Sequence, residues 1–510
     1  MEQGLTRREM LGRGIAVMGA GGLAVAGFTG SAWSGDKAAA ATLPASAAAP
    51  RAGSGVRHFV SRPDLTPPDV TLTHGPAATS MAGDPPYLLL TPSAGRGTPG
   101  LMILDRAGGL VWYSPSSKTT ERLDLKVQSY QGKPVLTWWE GQVGLGYGQG
   151  HVVIADSSYR PIATVKAGHG LAADLHEIVI TPQDTALVTI YKRVTTNLSR
   201  LGGPAKGVAL SGVVQEIDIP SGRVLFEWSS IDHVPVTDTV VSFTGGTSKV
   251  PFDYFHINSI SIAPDGTLLI SARNTSTVYK IARPSGKVVW RLGGRRSSFR
   301  MGPGTTFWFQ HQALPQGANT LSIFDDGGAP PKEPQSRGIL INLNTRTMQA
   351  TLQRSYIHPA TRLLAAFEGS MQVLPGGRVL IGWGNLPYFS EFTANGTLIL
   401  DGHYPGGDQT YRVLSAAWTG QPTDQPAAAA RPGPAGGSVV YASWNGATQV
   451  ATWTVLAGTS PNGLAQAGSK KRHGFETAIT VNNPGPYFAV TANDASGQSL
   501  GQSPTILREN

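Results

Sequence analysis

Phe255-His-Ile-Asn-Ser-Ile-Ser-Ile-Ala-Pro-Asp-Gly-Thr-Leu-Leu-Ile-Ser-Ala-Arg273, followed at once by Val278-Tyr-Lys-Ile-Ala-Arg-Pro-Ser-Gly-Lys-Val-Val-Trp290, is the stretch that decides the fold. The first phrase is a β run, a Pro-Asp-Gly turn and a strongly apolar strand. The second is a pair of β runs around a Pro-Ser-Gly turn, ending in tryptophan. Each reads as a hairpin, so together they predict four strands in succession. Both phrases recur. Copies of the first occupy residues 175–191, 310–324 and 367–384, with looser ones around 87–91 and 134–139. Copies of the second occupy 103–112 and 216–228, with weaker ones at 152–165, 340–352 and 391–400. Six of each, alternating at a period of roughly 50–65 residues, predict an all-β chain built as a six-bladed β-propeller. A large β-sandwich would not require two distinct phrases to alternate.

The propeller is expected to span 57–420. After Trp418 the texture changes. Residues 421–437 are rich in Pro, Ala and Gly and read as a linker. Residues 438–510 then carry short β runs at 439–443, 450–455, 477–480 and 487–491, which suggest a small β-sandwich of immunoglobulin or fibronectin type.

The opposite end reads as an export signal over residues 1–41. Thr6-Arg7-Arg8-Glu9-Met10-Leu11 is a twin-arginine pattern. A short apolar run and the small residues Ala38 to Ala41 follow it. The run is shorter than the ~20 apolar residues a spanning helix needs. Residues 42–56 read as a flexible segment. The chain is thus expected to leave the cytoplasm through the twin-arginine export machinery, to be secreted or held at the cell envelope.

Composition narrows the chemistry. There is no cysteine, which excludes disulfides, thiolate catalysis and Cys-ligated metals. The net charge is +9, and only about one unit of it lies in the leader. A moderately basic surface suits anionic small substrates or anionic envelope polymers. The lysines and arginines form no dense run, so nucleic acid is not expected as a partner.

Three histidines stand in equivalent phrases. His176 precedes Pro182 by six residues, His256 precedes Pro264 by eight and His311 precedes Pro315 by four. All three separations are even, so equivalent strands would carry the imidazoles on one face. The first strand of a propeller blade lines the central axis, which would aim all three at one channel. Arg273 follows its proline by nine residues, the slot filled by Tyr191 and Phe324 in their own phrases. An arginine at the end of an apolar strand needs a partner or a ligand.

At this point the residues resemble a known family. Phe59-Val-Ser-Arg-Pro-Asp-Leu-Thr-Pro-Pro68, Asp174-Leu-His-Glu177 and Asp253-Tyr-Phe-His-Ile-Asn-Ser-Ile260 resemble the bacterial and fungal arylsulfotransferases. So do Trp290-Arg-Leu-Gly-Gly294, Gln310-His311, Phe324-Asp-Asp-Gly327 and Ser443-Trp-Asn-Gly-Ala-Thr448. Members of that family move a sulfuryl group between phenols without a nucleotide donor. The best-studied branch carries a cysteine pair, so this chain resembles instead the actinobacterial and fungal type. The resemblance implies a six-bladed propeller with its site in the central channel. It implies His311 as the nucleophile that becomes sulfated, His176 and His256 as supporting histidines, and Arg273 as the arginine. No metal or other cofactor is implied. The partners implied are a small aryl sulfate and a phenol, whose ring would stack on Tyr254, Trp308 and Phe309.

Two other readings fit the same residues. Three facing imidazoles are also a metal site, with Glu177 as a fourth ligand, although alternation along a strand points Glu177 away from His176. The second is a non-catalytic exported propeller that binds a glycan or envelope polymer, with residues 443–448 as a ligand loop.

Overall fold

The computed structural model describes residues 55–75, 85–283 and 285–509, so the expected export signal lies outside the described residues. No helix among them is long and apolar enough to cross a membrane. The architecture is all-β, with only single turns of 3-10 helix between strands.

Six antiparallel sheets follow one another along the chain, and each carries a run of four strands. Sheet 1 holds Glu121–Tyr130, Lys133–Gly144, Tyr147–Ala155 and Pro161–Val165. Sheet 2 holds Ile178–Ile180, Thr185–Thr196, Gly207–Asp218 and Val224–Ser229. Sheet 3 holds Ile257–Ile262, Leu268–Ala272, Thr277–Ile281 and Val288–Gly293, the two phrases that open the sequence reading. Sheet 4 begins at His311–Pro315 and ends at Gln349–Tyr356, with Arg300–Met301 added parallel at its outer edge. Sheet 5 runs from Ser370–Val373 to Leu398–His403, with Thr71–His74 at its edge.

Sheet 6 joins the two ends of this region. Its first strand is Leu414–Ala416, and the chain's early strands Tyr87–Leu90, Gly100–Asp105 and Leu110–Pro115 complete it. The sequence reading takes 87–91 as the start of a phrase. It is in fact a second strand, and the strand inside it comes from more than 300 residues downstream. Residues 134–139 likewise fall in the second strand of sheet 1, whose first strand lacks the proline turn that marks the other copies.

The first strands contact one another in order. Glu121–Tyr130 touches Ile178–Ile180, which touches Ile257–Ile262, then His311–Pro315, Ser370–Val373 and Leu414–Ala416, which returns to Glu121–Tyr130. Six buried clusters occupy the six interfaces between neighbouring sheets. Alternation along each strand sorts side chains to the two sides. Ile270 joins the cluster shared with sheet 2, while its neighbour Leu269 joins the cluster shared with sheet 4. Leu88 and Leu90 face sheet 5 and Leu89 faces sheet 1. This is why Leu268–Ala272 is buried at every position: a sheet covered on both faces reads as a continuous apolar run.

Beyond Trp418 two further sheets share one buried cluster built on Val440, Trp453, Val455, Ile479, Phe488 and Val490. The stretch read as a linker contains a strand. Ala427–Pro432 pairs antiparallel with Ser438–Ser443, and Ala430 is buried in that cluster. Its composition hides the strand because alanines supply the small inward side chains. Segment 443–448 docks onto sheet 6. Asn445 Oδ1 accepts the Tyr113 N–H at 2.9 Å, and Asn445 Nδ2 donates to the Tyr113 carbonyl at 2.9 Å. The Gly446 N–H donates to the Val111 carbonyl.

Candidate active site

Where the first strands of sheets 2, 3 and 4 begin, they bring His176, His256 and His311 to one cavity. Its volume is about 340 Å3, and Arg273, Tyr411, Glu368, Phe367 and Leu175 also line it, with Val143, Leu145 and Gly146 from sheet 1. One ring nitrogen from each histidine lies within 4.8 Å of the others. The convergence expected from the sequence is present, but its local cause differs. His176 and His256 precede their strands, and His311 is the first residue of its own. His256 and Gln312 have positive φ, and both strands bulge just beyond their histidine. Strict alternation therefore does not run through these positions. Arg273 is also just outside its strand, in the 3-10 turn after Ala272. Its N–H donates to the His256 carbonyl, which sets the two residues side by side.

Each imidazole is held from behind by a carboxylate. His176 Nδ1 lies 2.6 Å from Asp174 Oδ2, His256 Nδ1 lies 2.5 Å from Asp253 Oδ2, and His311 Nδ1 lies 2.8 Å from Asp326 Oδ2. With Nδ1 donating to an aspartate, Nε2 keeps the lone pair. In His311 that nitrogen accepts the Glu368 N–H at 3.1 Å. Asp174 is itself fixed by the Gly148 N–H, the His176 N–H and the Thr189 hydroxyl. The three aspartates are absent from the sequence-based site. The signal for two of them is an acid two or three residues before the histidine, in Asp174-Leu-His176 and Asp253-Tyr-Phe-His256.

Burial dominates the protonation of this cluster. It pushes His311 well below the ordinary imidazole value, and the charges of Arg273 and the other two histidines push the same way. Burial also lowers His256, against the opposing pull of Asp253. Burial raises Asp326 well above the ordinary carboxyl range despite Arg273 nearby. Asp174 goes the other way: burial would raise it, but His176 and the hydrogen bonds it accepts hold it low. His311 is thus held neutral, and the Glu368 N–H pointing into Nε2 leaves its ring proton on Nδ1, facing Asp326.

Arg273 is anchored at its tip. Nη1 donates to Asn274 Oδ1 at 2.8 Å and Nη2 to the Ala366 carbonyl at 2.8 Å. Its Nε is buried and has no hydrogen-bond partner among the described residues.

The three aromatic residues expected to hold a phenol do not line the cavity. Tyr254 is fully buried and donates to Ser230 Oγ at 2.8 Å. Phe309 is also fully buried, and the Arg273 guanidinium lies 4.9 Å from its ring centre. Trp308 lines a separate pocket with Arg295 and Lys332. Tyr254 and Phe309 are thus buried away from the cavity, and Trp308 belongs to that separate pocket. The aromatic residues that line the cavity are Phe367 and Tyr411, and Tyr191 packs against the histidines from outside that lining. The Tyr191 ring lies 5.7 Å from that of His176 and 5.6 Å from that of His256. Glu177 turns away from the histidines. It pairs with Arg412 at 3.0 Å and with Lys126, in a buried cluster that includes Asp124. It is thus unavailable as a fourth metal ligand.

The profile of the family described as Arylsulfotransferase (ASST) matches residues 126–404, a span that contains all three histidines and Arg273. No curated protein matches the chain in sequence. Among solved structures, a protein of unknown function from Bacteroides caccae is 13% identical with a TM-score of 0.39, covering 64% of this chain and 98% of that one. A virginiamycin B lyase from Staphylococcus aureus is 11% identical with a TM-score of 0.33, covering 65% and 87%. A protein from Lactobacillus plantarum is 13% identical with a TM-score of 0.33, covering 83% and 97%.

Proposed function

The chain belongs to the arylsulfotransferase family, and from that premise we propose that it moves a sulfuryl group from an aryl sulfate to a phenol through a sulfated His311. The observation that carries this reading is the convergence of three carboxylate-held imidazoles and one guanidinium on a single cavity. In this reading the six sheets are the blades of a six-bladed propeller, and the two sheets beyond Trp418 form a sandwich docked on its side. The ring of first-strand contacts and the six interface clusters support the blade count.

A sulfuryl group carries one negative charge over three oxygens. By analogy with phosphoryl transfer, its passage through a loose transition state rewards in-line positioning and charge stabilisation. The Arg273 guanidinium, which lines the cavity, stabilises the charge on the sulfuryl oxygens. His311 Nε2 gives up its bond with the Glu368 amide and attacks sulfur. The N–S bond forms as the S–O bond to the aryl group breaks, and the electron pair leaves with the phenolate. The ring becomes cationic, and Asp326 stabilises its Nδ1–H. A neutral imidazole is competent for this step. His256, neutral through burial, then takes the acceptor phenol's proton while the phenolate oxygen attacks sulfur and frees Nε2. A phenol pKa near 10 makes the phenolate a good leaving group. No resident cofactor enters this scheme.

Location follows from the other end of the chain. The Arg7-Arg8 pair and the apolar run behind it support twin-arginine export to the cell surface or beyond.

The test is incubation of the purified chain with p-nitrophenyl sulfate alone. About one equivalent of nitrophenolate per chain is expected in a burst, with turnover resuming when a phenol is added. Absence of a burst, with kinetics that require both substrates together, would remove the covalent route.

A further inference from the structure

The longest hairpin of sheet 1 ends over the cavity. Gly144 pairs with Tyr147, and the turn between them is Leu145-Gly146. Both turn residues have positive φ, 56° and 81°, the signature of a type I′ turn. The first position of that turn takes Asn, Asp or Gly, because a bulky side chain in left-handed backbone collides with its own carbonyl. Leu145 is a poor choice for the turn. It is also 46% exposed and belongs to none of the buried clusters. An exposed leucine alone needs no explanation. An exposed leucine in a strained backbone at the wall of the cavity calls for one, since the fold gains nothing from it.

The tip lies beside His256. A Cβ at Gly146 would meet only His256 Cε1, at 3.8 Å, and one at Gly144 would meet nothing. The next residue, Tyr147, stacks on Tyr191 with ring centres 4.9 Å apart, and Tyr191 in turn lies against His176 and His256. Besides Arg273 and the histidines, the wall of the cavity includes Val143, Leu145, Leu175 and Phe367. All four are apolar.

We propose that Leu145 is a specificity-determining residue that covers the aryl group and selects phenols and aryl sulfates with an apolar extension, such as a fused ring, over small polar phenols. This rests on the sulfuryl-transfer reading of the cavity. The test compares the full chain with Leu145→Asn, a substitution that the turn itself favours. The variant is expected to melt at the same temperature or higher. Calorimetric titration should give the wild-type chain a preference for 2-naphthol over phenol, and the variant should lose about tenfold of it, the worth of one aliphatic contact. Leu145→Met should restore it. The same change is expected in the kcat/KM ratio for the two acceptors. An unchanged preference, or a melting temperature that falls in Leu145→Asn, would overturn the assignment. If the binding preference behaves as expected but no chain transfers sulfuryl, the reaction fails and the apolar mouth stands. If transfer proceeds with equal selectivity in both chains, the assignment to Leu145 fails alone.

Discussion

An imidazole can present either nitrogen, and in this cavity an aspartate behind each ring makes the choice. Asp326 is therefore a positioning residue for His311. Asp326→Asn should slow the donor-only burst by roughly 10²–10⁴-fold, the scale of losing a tautomer-fixing carboxylate. Its pH profile should change with it, which a merely structural role would not produce. Arg273→Lys keeps the charge but loses the Nε–H and the anchors of the guanidinium. Steady-state assays should show a loss of about 3 kcal/mol in transition-state binding, the worth of one oxyanion-type donor. The pH dependence has a definite sign. In the proposed reaction His311 attacks as the neutral ring, and burial holds it well below its ordinary 6.5. The acid limb of kcat/KM should then lie below pH 6.5, and a limb at or above that value would contradict the assignment of a buried neutral nucleophile. The histidines and Arg273 were legible because they stand in repeated phrases. The carboxylates were not. Asp326 lies 15 residues from His311, on the loop after a neighbouring strand, and only the folded sheet shows that they meet.

At the scale of the strand and hairpin, burial on both faces is the organising fact. Trp228 ends sheet 2, is 1% exposed in the cluster shared with sheet 3, and donates to the Gly286 carbonyl at 3.1 Å. Trp228→Ala should destabilise the protein by about 3–5 kcal/mol in urea titration, with little change in the slope of the transition. Hairpins such as those of sheet 3 were readable because a Pro-Asp-Gly or Pro-Ser-Gly turn separates two apolar runs. The first strands of sheets 1 and 6 were not. Glu121–Tyr130 mixes charged and apolar residues because Asp124 and Lys126 belong to the buried ionic cluster with Arg412 and Glu177. Leu414–Ala416 is three residues long, too short to carry a period. The even-spacing rule reached the right convergence of histidines through positions where the backbone is left-handed or bulged, so phrase order was the sounder guide than strand parity.

Across the whole molecule, closure depends on distant parts of the chain. Sheet 6 takes one strand from near residue 415 and three from 87–115, and Asn445 clasps its outermost strand at Tyr113. Asn445→Ala leaves two backbone groups of Tyr113 without that partner. Thermal unfolding should reveal a loss of about 1–3 kcal/mol. The proposed export concerns the intact chain as well, and replacing Arg7 and Arg8 by lysine should keep the protein in the cytoplasm, as fractionation of cells would record. The proposed function is to hold one imidazole where it can carry a sulfuryl group. The most direct measurement quenches the protein with isotopically labelled donor alone and maps the label by peptide mass spectrometry. The expected result is a single labelled residue, His311, lost in His311→Ala and discharged by added phenol. Label on His256 or His176, or a protein that turns over without ever holding label, would contradict it.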